Sequence, residues 1–322
     1  MVDCEFGRST EIATKMFQAC VKITRDGVIG ATTWALLEGL AVRPAPAFTP
    51  RPCCILAPGN TFAPHNILSP GNIGVHGAAS ELSGLLYCGK GGFFDLGHAR
   101  DMMDLTKFLH EQLTLGPPPQ IIRTVLGIVS IRRPVADALE TAAAIAFQDA
   151  LGHEITSWDV LAPGGRNSSF SPEDLPSNFL GTLVARRAIA RMTASGATFS
   201  AAATAELSAM LTSLDVQSKV ESEAAFNLIN HKWVDFVGAL SLAGNNYLLR
   251  RNFTRAPFQA GHSSDAPPPA FVTAPFSATA LADFDYFHLE GGNVLAGPDF
   301  PAATTRVRRE AKAAFGADFD KP

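Results

Sequence analysis

The stretch Ala138 to Leu151 (ALETAAAIAFQDAL) constrains the fold more than any other part of the chain. It is apolar almost throughout, broken only by Glu140, Gln148 and Asp149. Pro134 suits the first turn of a helix, and the pattern then runs on to about Trp158, which predicts one long and largely buried helix. Spanning a bilayer takes about 18 apolar residues without interruption, and no window of the chain approaches that. The helix is therefore expected inside a soluble globular domain.

Charge content agrees. Only 17% of the 322 residues are charged, against roughly 25% in ordinary soluble domains, and 47% are hydrophobic. Such a chain has much interior and little solvated tail. The net charge is -4 with no basic block, so the electrostatic footprint of a nucleic-acid binder is absent. The five cysteines, Cys4, Cys20, Cys53, Cys54 and Cys88, form no CxxC pair, so neither a zinc knuckle nor a thioredoxin-like motif is supported. Buried thiols in a reducing cytoplasm are expected; pairing of Cys53 or Cys54 with Cys88 would need an oxidising compartment. The opening MVDCEFGRSTEIATKMF lacks the pattern of a signal peptide, so the expected location is cytoplasmic, or exported if a leader precedes it.

Read for organisation, the chain is one mainly α domain (α+β with minor short strands), a single multi-helix unit over residues 1–322. Residues 1–45 hold two short helices, roughly Thr10 to Thr24 and Ala31 to Leu40. Dense Pro, Gly and Asn punctuation from Ala41 to Gly92 argues against long helices there, with short strands at Cys54 to Ala57 and Leu85 to Cys88. Residues 46–255 form the core segment. It contains helices at Leu96 to Leu115, Pro134 to Trp158, Ser171 to Ala194, Ser200 to Leu214 and Val220 to Asn230, and an apolar element of open type at Ile121 to Ile131. Residues 256–322 read as a loop-rich extension with a short helix near Ala280 and a basic helical tail from Thr304 to Phe315.

Three segments carry residues suited to chemistry. In Phe94-Asp95-Leu96-Gly97-His98-Ala99-Arg100-Asp101, the residues Asp95, His98 and Asp101 recur every three and share a helix face. A histidine between carboxylates suits a metal ligand with its supporting shell, or an acid–base group with its orienter; the plainer reading makes Asp95 a helix N-cap and His98 an ordinary half-buried histidine. The second segment is Gly152-His153-Glu154-Ile155-Thr156-Ser157. It begins like the zincin HExxH motif, but Ser157 stands where the second histidine belongs, so that geometry is lost. Adjacent helical residues point about 100° apart, so His153 and Glu154 serve one site only at a helix edge. The alternative is a histidine favoured by the helix C-terminal dipole. In the third, Ser171-Pro172-Glu173-Asp174-Leu175-Pro176-Ser177-Asn178, Ser171 as N-cap and Pro172 at the first position make a good helix start. Pro176 suits a start after itself, and Glu173 or Asn178 could still reach a site. Arg250-Arg251-Asn252-Phe253 reads either as an anion-binding pair or as solvated charge.

In this order, Pro52-Cys53-Cys54, the run from Leu86 to Asp101, His153 to Trp158, Phe170 to Asn178 and Arg250 to Phe253 resemble a bacterial family known as domain of unknown function 4056. That resemblance implies no activity. It does imply that the His98, His153-Glu154 and Glu173-Asp174 segments share one domain and can converge, and that relatives are often exported or lipid-anchored.

The expected function is a metal-dependent enzyme, most simply a hydrolase. His98, His153 and a carboxylate from Asp95 or Glu173 would hold a divalent ion, zinc before iron. Glu154 would act as general base on bound water, with Asp101 and Asn178 assisting. The alternatives are a metal-free acid–base isomerase, cyclase or lyase using His98 with Asp95 or Asp101 on an apolar substrate, in a pocket for which 22 Phe and three Trp supply material, and a non-catalytic binding protein. The partner expected is a small molecule or peptide; nucleic acid and a membrane span are not expected, and the oligomeric state is open.

Overall fold

A computed structural model describes residues 7–20, 24–30, 33–34, 41–43, 51, 67–116, 118, 120–160, 169–234, 248–290 and 293–316. In chain order its elements are α1 (Arg8–Cys20), β1 (Ala41–Arg43), β2 (Leu85–Cys88), β3 (Gly92–Asp95), α2 (Leu96–Thr114), β4 (Gln120–Arg123), β5 (Gly127–Ile131), α3 (Ala138–Val160), α4 (Asp174–Ser195), α5 (Phe199–Ser213), α6 (Lys219–Ile229), α7 (Ala278–Ala282), β6 (Asp285–Glu290), β7 (Asn293–Ala296) and α8 (Phe300–Phe315). The fold is mainly α with minor strands. The expected strand at Cys54 to Ala57 and most of the expected helix from Ala31 to Leu40 lie outside the described residues.

The long apolar helix is α3, and Ala142 through Ala146 are fully buried. A helix with no solvated face in this stretch needs cover on every side. It gets that cover from α2, α4, α8 and β6. Pro134 does not sit in its first turn: the Asp137 carboxylate accepts the N–H groups of Leu139 and Glu140, both at 2.9 Å, so the helix starts where its free donors are satisfied. The element of open type at Ile121 to Ile131 is two strands, β4 and β5, whose turn is closed by Thr124 N–H donating to the Gly127 carbonyl at 3.0 Å.

The sheet runs β1-β4-β5-β6-β7, with β1 and β4 parallel and the remaining neighbours antiparallel. Described elements beyond residue 256 thus join the same sheet and core: β6 pairs with β5, and Phe300 and Val307 of α8 are buried with Ile122, Val129 and Ile145. A second core, around Phe94, Met103, Val184 and Leu207, joins the β2–β3 hairpin to α2, α4 and α5. Among the described residues no helix is long and apolar enough to cross a membrane.

One contact sets the geometry of the centre. Helices α2 and α4 touch at Gly181, where an added Cβ would lie 2.1 Å from the Ala99 carbonyl oxygen. Only glycine allows backbones this close. The approach draws His98, beside Ala99, against Asn178, one turn before Gly181.

Candidate active site

Between α2, α3, α4 and the β4–β5 turn lies a cleft of about 260 Å³. Helix α2 contributes His98, Asp101 and Met102, which share a face at helical spacing. From α3 come Asp149, Ala150 and His153, and α4 adds Asn178. Val125 and Leu126 of the turn form an apolar wall, and Arg51 reaches in from the preceding segment. Two histidines far apart in sequence are therefore brought to one cavity, as are Asp101 and Asn178.

His98 bridges α2 and α4. Its Nδ1 is 3.3 Å from Asn178 Oδ1, and its Nε2 is 3.4 Å from Asp174 Oδ1. Each ring nitrogen thus faces an acceptor oxygen, an arrangement the doubly protonated ring satisfies at both ends. Asp101 receives the Arg51 backbone N–H at 3.1 Å and its guanidinium Nη1 at 2.8 Å. Burial pushes the Asp101 carboxyl up to about 6, against the opposing pull of Arg51. Burial also works against the Arg51 charge, but ion pairs with Glu81, Asp101 and Asp104 outweigh it and raise the Arg51 pKa. Asp104 in turn meets His76 Nε2 at 2.9 Å. Arg51 is thereby fixed at the rim as part of a half-buried network.

Opposite, Asp149 opens a second polar chain. Thr124 Oγ1 donates to Asp149 Oδ1 at 2.5 Å and Tyr286 O–H at 2.6 Å. Tyr286 O–H lies 3.0 Å from His288 Nδ1, and His288 Nε2 lies 3.1 Å from Thr156 Oγ1. Burial pushes the Asp149 carboxyl up, while Thr124, Tyr286 and His288 pull it back. His288 fits because residue 152 is glycine, where an added Cβ would lie 2.5 Å from the imidazole Nδ1.

The remaining expected site residues do not line the cleft. Asp95 caps α2, its Oδ1 accepting from Gly97 N–H at 2.6 Å and His98 N–H at 3.4 Å. Glu154 accepts the Phe170 N–H at 2.5 Å while Ser169 Oγ donates to the Glu154 carbonyl at 2.6 Å. This pair holds a turn in which Phe170 has φ +58°, a conformation uncommon outside glycine. Glu173 accepts from Ser171 Oγ at 2.6 Å. Its burial pushes its carboxyl well above the usual range, with Asp95 adding to the push and Ser171 and His98 opposing it. Ser171 therefore does not cap α4 as expected; Glu173 occupies the cap position, and Pro176 falls in the first turn, where its missing donor costs nothing. Asp95 and Glu173 thus support His98 from behind, while Glu154 holds the turn at Ser169 and Phe170. Among the described residues, no three His, Cys, Asp or Glu side chains stand together as a metal-ligand set.

Two charged cleft residues, Asp149 and Arg51, had no place among the expected site residues. Asp149 could have been found: it lies four residues before His153, and hence on the same helix face, within an apolar run. Arg51 carries no such signal, being one arginine in a proline-rich stretch.

A mainly α domain with an acid- and histidine-lined cleft between three of its helices is the class that fold and site define. The chain belongs to the family described as Protein of unknown function (DUF4056), whose model matches residues 67–124 and 127–261, more than half of the sequence. No curated protein and no solved structure matches it. His98, Asp101, Asp149, His153 and Asn178 all fall within the matched segments; Arg51, Tyr286 and His288 lie outside them.

Proposed function

We propose that this protein is an enzyme that moves protons on a small, largely apolar substrate, in isomerase, cyclase or lyase chemistry. The observation that carries the reading is that His98 and Asp101, one turn apart on α2, face one cleft with His153 and Asp149 opposite. Asp101, held near 6, is a base of useful strength at neutral pH, and His98 between two acceptors is the complementary acid. Met102, Val125, Leu126 and Ala150 give the cleft an apolar side on which a small substrate can be oriented. Asn178 positions the imidazole.

The metal-dependent hydrolase is the second reading, favoured by the meeting of His98 and His153 at one cavity. Its expected third ligands, Asp95 and Glu173, are engaged elsewhere, and the described donors do not fit a three-ligand ion site. The test is proton exchange into D2O, followed by 1H NMR, across a panel of small ketones and enones, with wild type, His98→Gln and Asp101→Asn. Exchange by wild type that falls at least about 100-fold in both variants is expected for a positioned acid–base pair. Exchange untouched by either substitution refutes the reading. Turnover lost on EDTA treatment and restored by zinc would favour the hydrolase.

A further inference from the structure

We infer that a second cavity, on the opposite face of α3, binds a small anion carrying an apolar tail, such as a carboxylate or a phosphate monoester. This cavity, of about 390 Å³, is lined by Phe147, Leu151, Leu175 and Phe253 together with Arg255 and Thr273. Phe147 and Leu151 sit on α3 about 200° around the helix from Asp149 and His153, so it is separate from the cleft.

Arg255 is the reason for a ligand. Its guanidinium stands over the Phe179 ring at 5.1 Å and the Phe276 ring at 6.0 Å. Those rings pack edge-on, 5.4 Å apart, and each meets Phe147, at 5.6 and 5.9 Å. Among the described residues no carboxylate pairs with Arg255, whereas Arg51, Arg132, Arg191 and Arg306 each pair with at least one. Aromatic faces offset part of the cost of a half-buried cation, but charges held away from water are ordinarily paired. Burial accordingly lowers the Arg255 pKa, with no acid to oppose it. The planar guanidinium suits bidentate carboxylate or phosphate oxygens, and the Phe and Leu walls suit an apolar tail. The pair Arg250-Arg251, read from sequence either as anion-binding or as solvated charge, is not the element involved here: Arg251 is fully buried, donates to the Ser169 carbonyl and stacks on Trp158 at 5.3 Å. The anion-seeking arginine lies four residues further on.

The test is titration calorimetry of the full chain with octanoate and octyl phosphate as probes, and with acetate, inorganic phosphate and octanol as controls. Tight binding needs both charge and tail, so octanoate or octyl phosphate should bind at least about tenfold more tightly than every control, and which of the two binds better identifies the head group. Arg255→Met should weaken that binding about tenfold or more, the scale of losing charge-assisted hydrogen bonds, and Arg255→Lys by less. Ala256→Leu, which narrows the cavity without touching the charge, should also weaken it, and His98→Gln should leave it unchanged. Circular dichroism confirms that each variant folds, and if Arg255→Met does not, Ala256→Leu and Arg255→Lys decide. Binding indifferent to these substitutions, binding of octanol as tight as octanoate, or no binding of either probe overturns the inference.

Discussion

Gly181→Ala should destabilise the protein although it improves helix propensity. Within α4, alanine is favoured over glycine by about 1 kcal/mol. Against this, the new Cβ would lie 2.1 Å from the Ala99 carbonyl oxygen, 2.8 Å from its carbonyl carbon and 2.8 Å from Met102 Cβ. Carbon–oxygen contacts settle no closer than about 3.3 Å, so α2 and α4 must part by roughly 1 Å. The obstacle is backbone, and no rotamer change relieves it. Overpacking costs about 1–3 kcal/mol, and a backbone obstacle belongs at the upper end, leaving a net loss of about 2 kcal/mol. Urea unfolding measures it, with Gly71→Ala, where a Cβ meets nothing within 4 Å, as the neutral control. The same parting stretches the 3.3 Å contact between His98 and Asn178 beyond hydrogen-bond range, so the variant should also lose function at the cleft. A Gly181→Ala protein as stable as wild type would refute the close approach and the placement of His98 derived from it.

Two further perturbations address the titratable groups. The Asp101 carboxyl, near 6 in the folded chain against an ordinary 3.8, binds its proton more tightly folded than unfolded, so stability contributed by the protonated form is lost as pH rises from about 4 to about 6. Asp101→Asn should flatten that part of the curve, by at most about 3 kcal/mol across the window; denaturation at a series of pH values in both proteins reads the slope, and parallel curves would contradict the assignment. Tyr286→Phe removes the donor 2.6 Å from Asp149, which should cost about 1.5–3 kcal/mol and push the Asp149 carboxyl further up. Carboxyl 13C NMR titration detects this, and an Asp149 resonance that titrates unchanged would show that the tyrosine does not tune it.

Much of this fold is written locally. The apolar run of α3, the Asp95 cap of α2 and the stop after Thr114 follow from periodicity and capping, which act over one or two turns. The resemblance implies convergence of the His98, His153-Glu154 and Glu173-Asp174 segments; His98 and His153 do line one cleft, whereas Glu154 and Glu173 are engaged outside it. Roles were harder to read. Glu154 follows His153 in sequence but points to the Phe170 N–H, since neighbours on a helix diverge. Asp149 reads in sequence as a break in an apolar helix; its partner Tyr286, itself bonded to His288, comes from a strand more than a hundred residues on. Arg51 is defined by Glu81, Asp101 and Asp104, none of them near it in sequence. Side-chain roles of this kind depend on tertiary pairing, which no short-range pattern encodes.

Helix α3 explains why two cavities can coexist in so apolar a core. Its near-continuous alanine segment lets α2 and α4 pack closely, and the larger residues that follow divide by angle. Asp149 and His153 turn toward the polar cleft; Phe147 and Leu151 turn toward Arg255. Because the two sets share a helix but no partner residue, substitutions at His98 and at Arg255 should combine additively in stability, within about 0.5 kcal/mol. Denaturant unfolding of the two single variants and the double variant measures that sum. A larger deviation would mean that α3 transmits a change from one cavity to the other, and that occupancy of the Arg255 site is felt at His98.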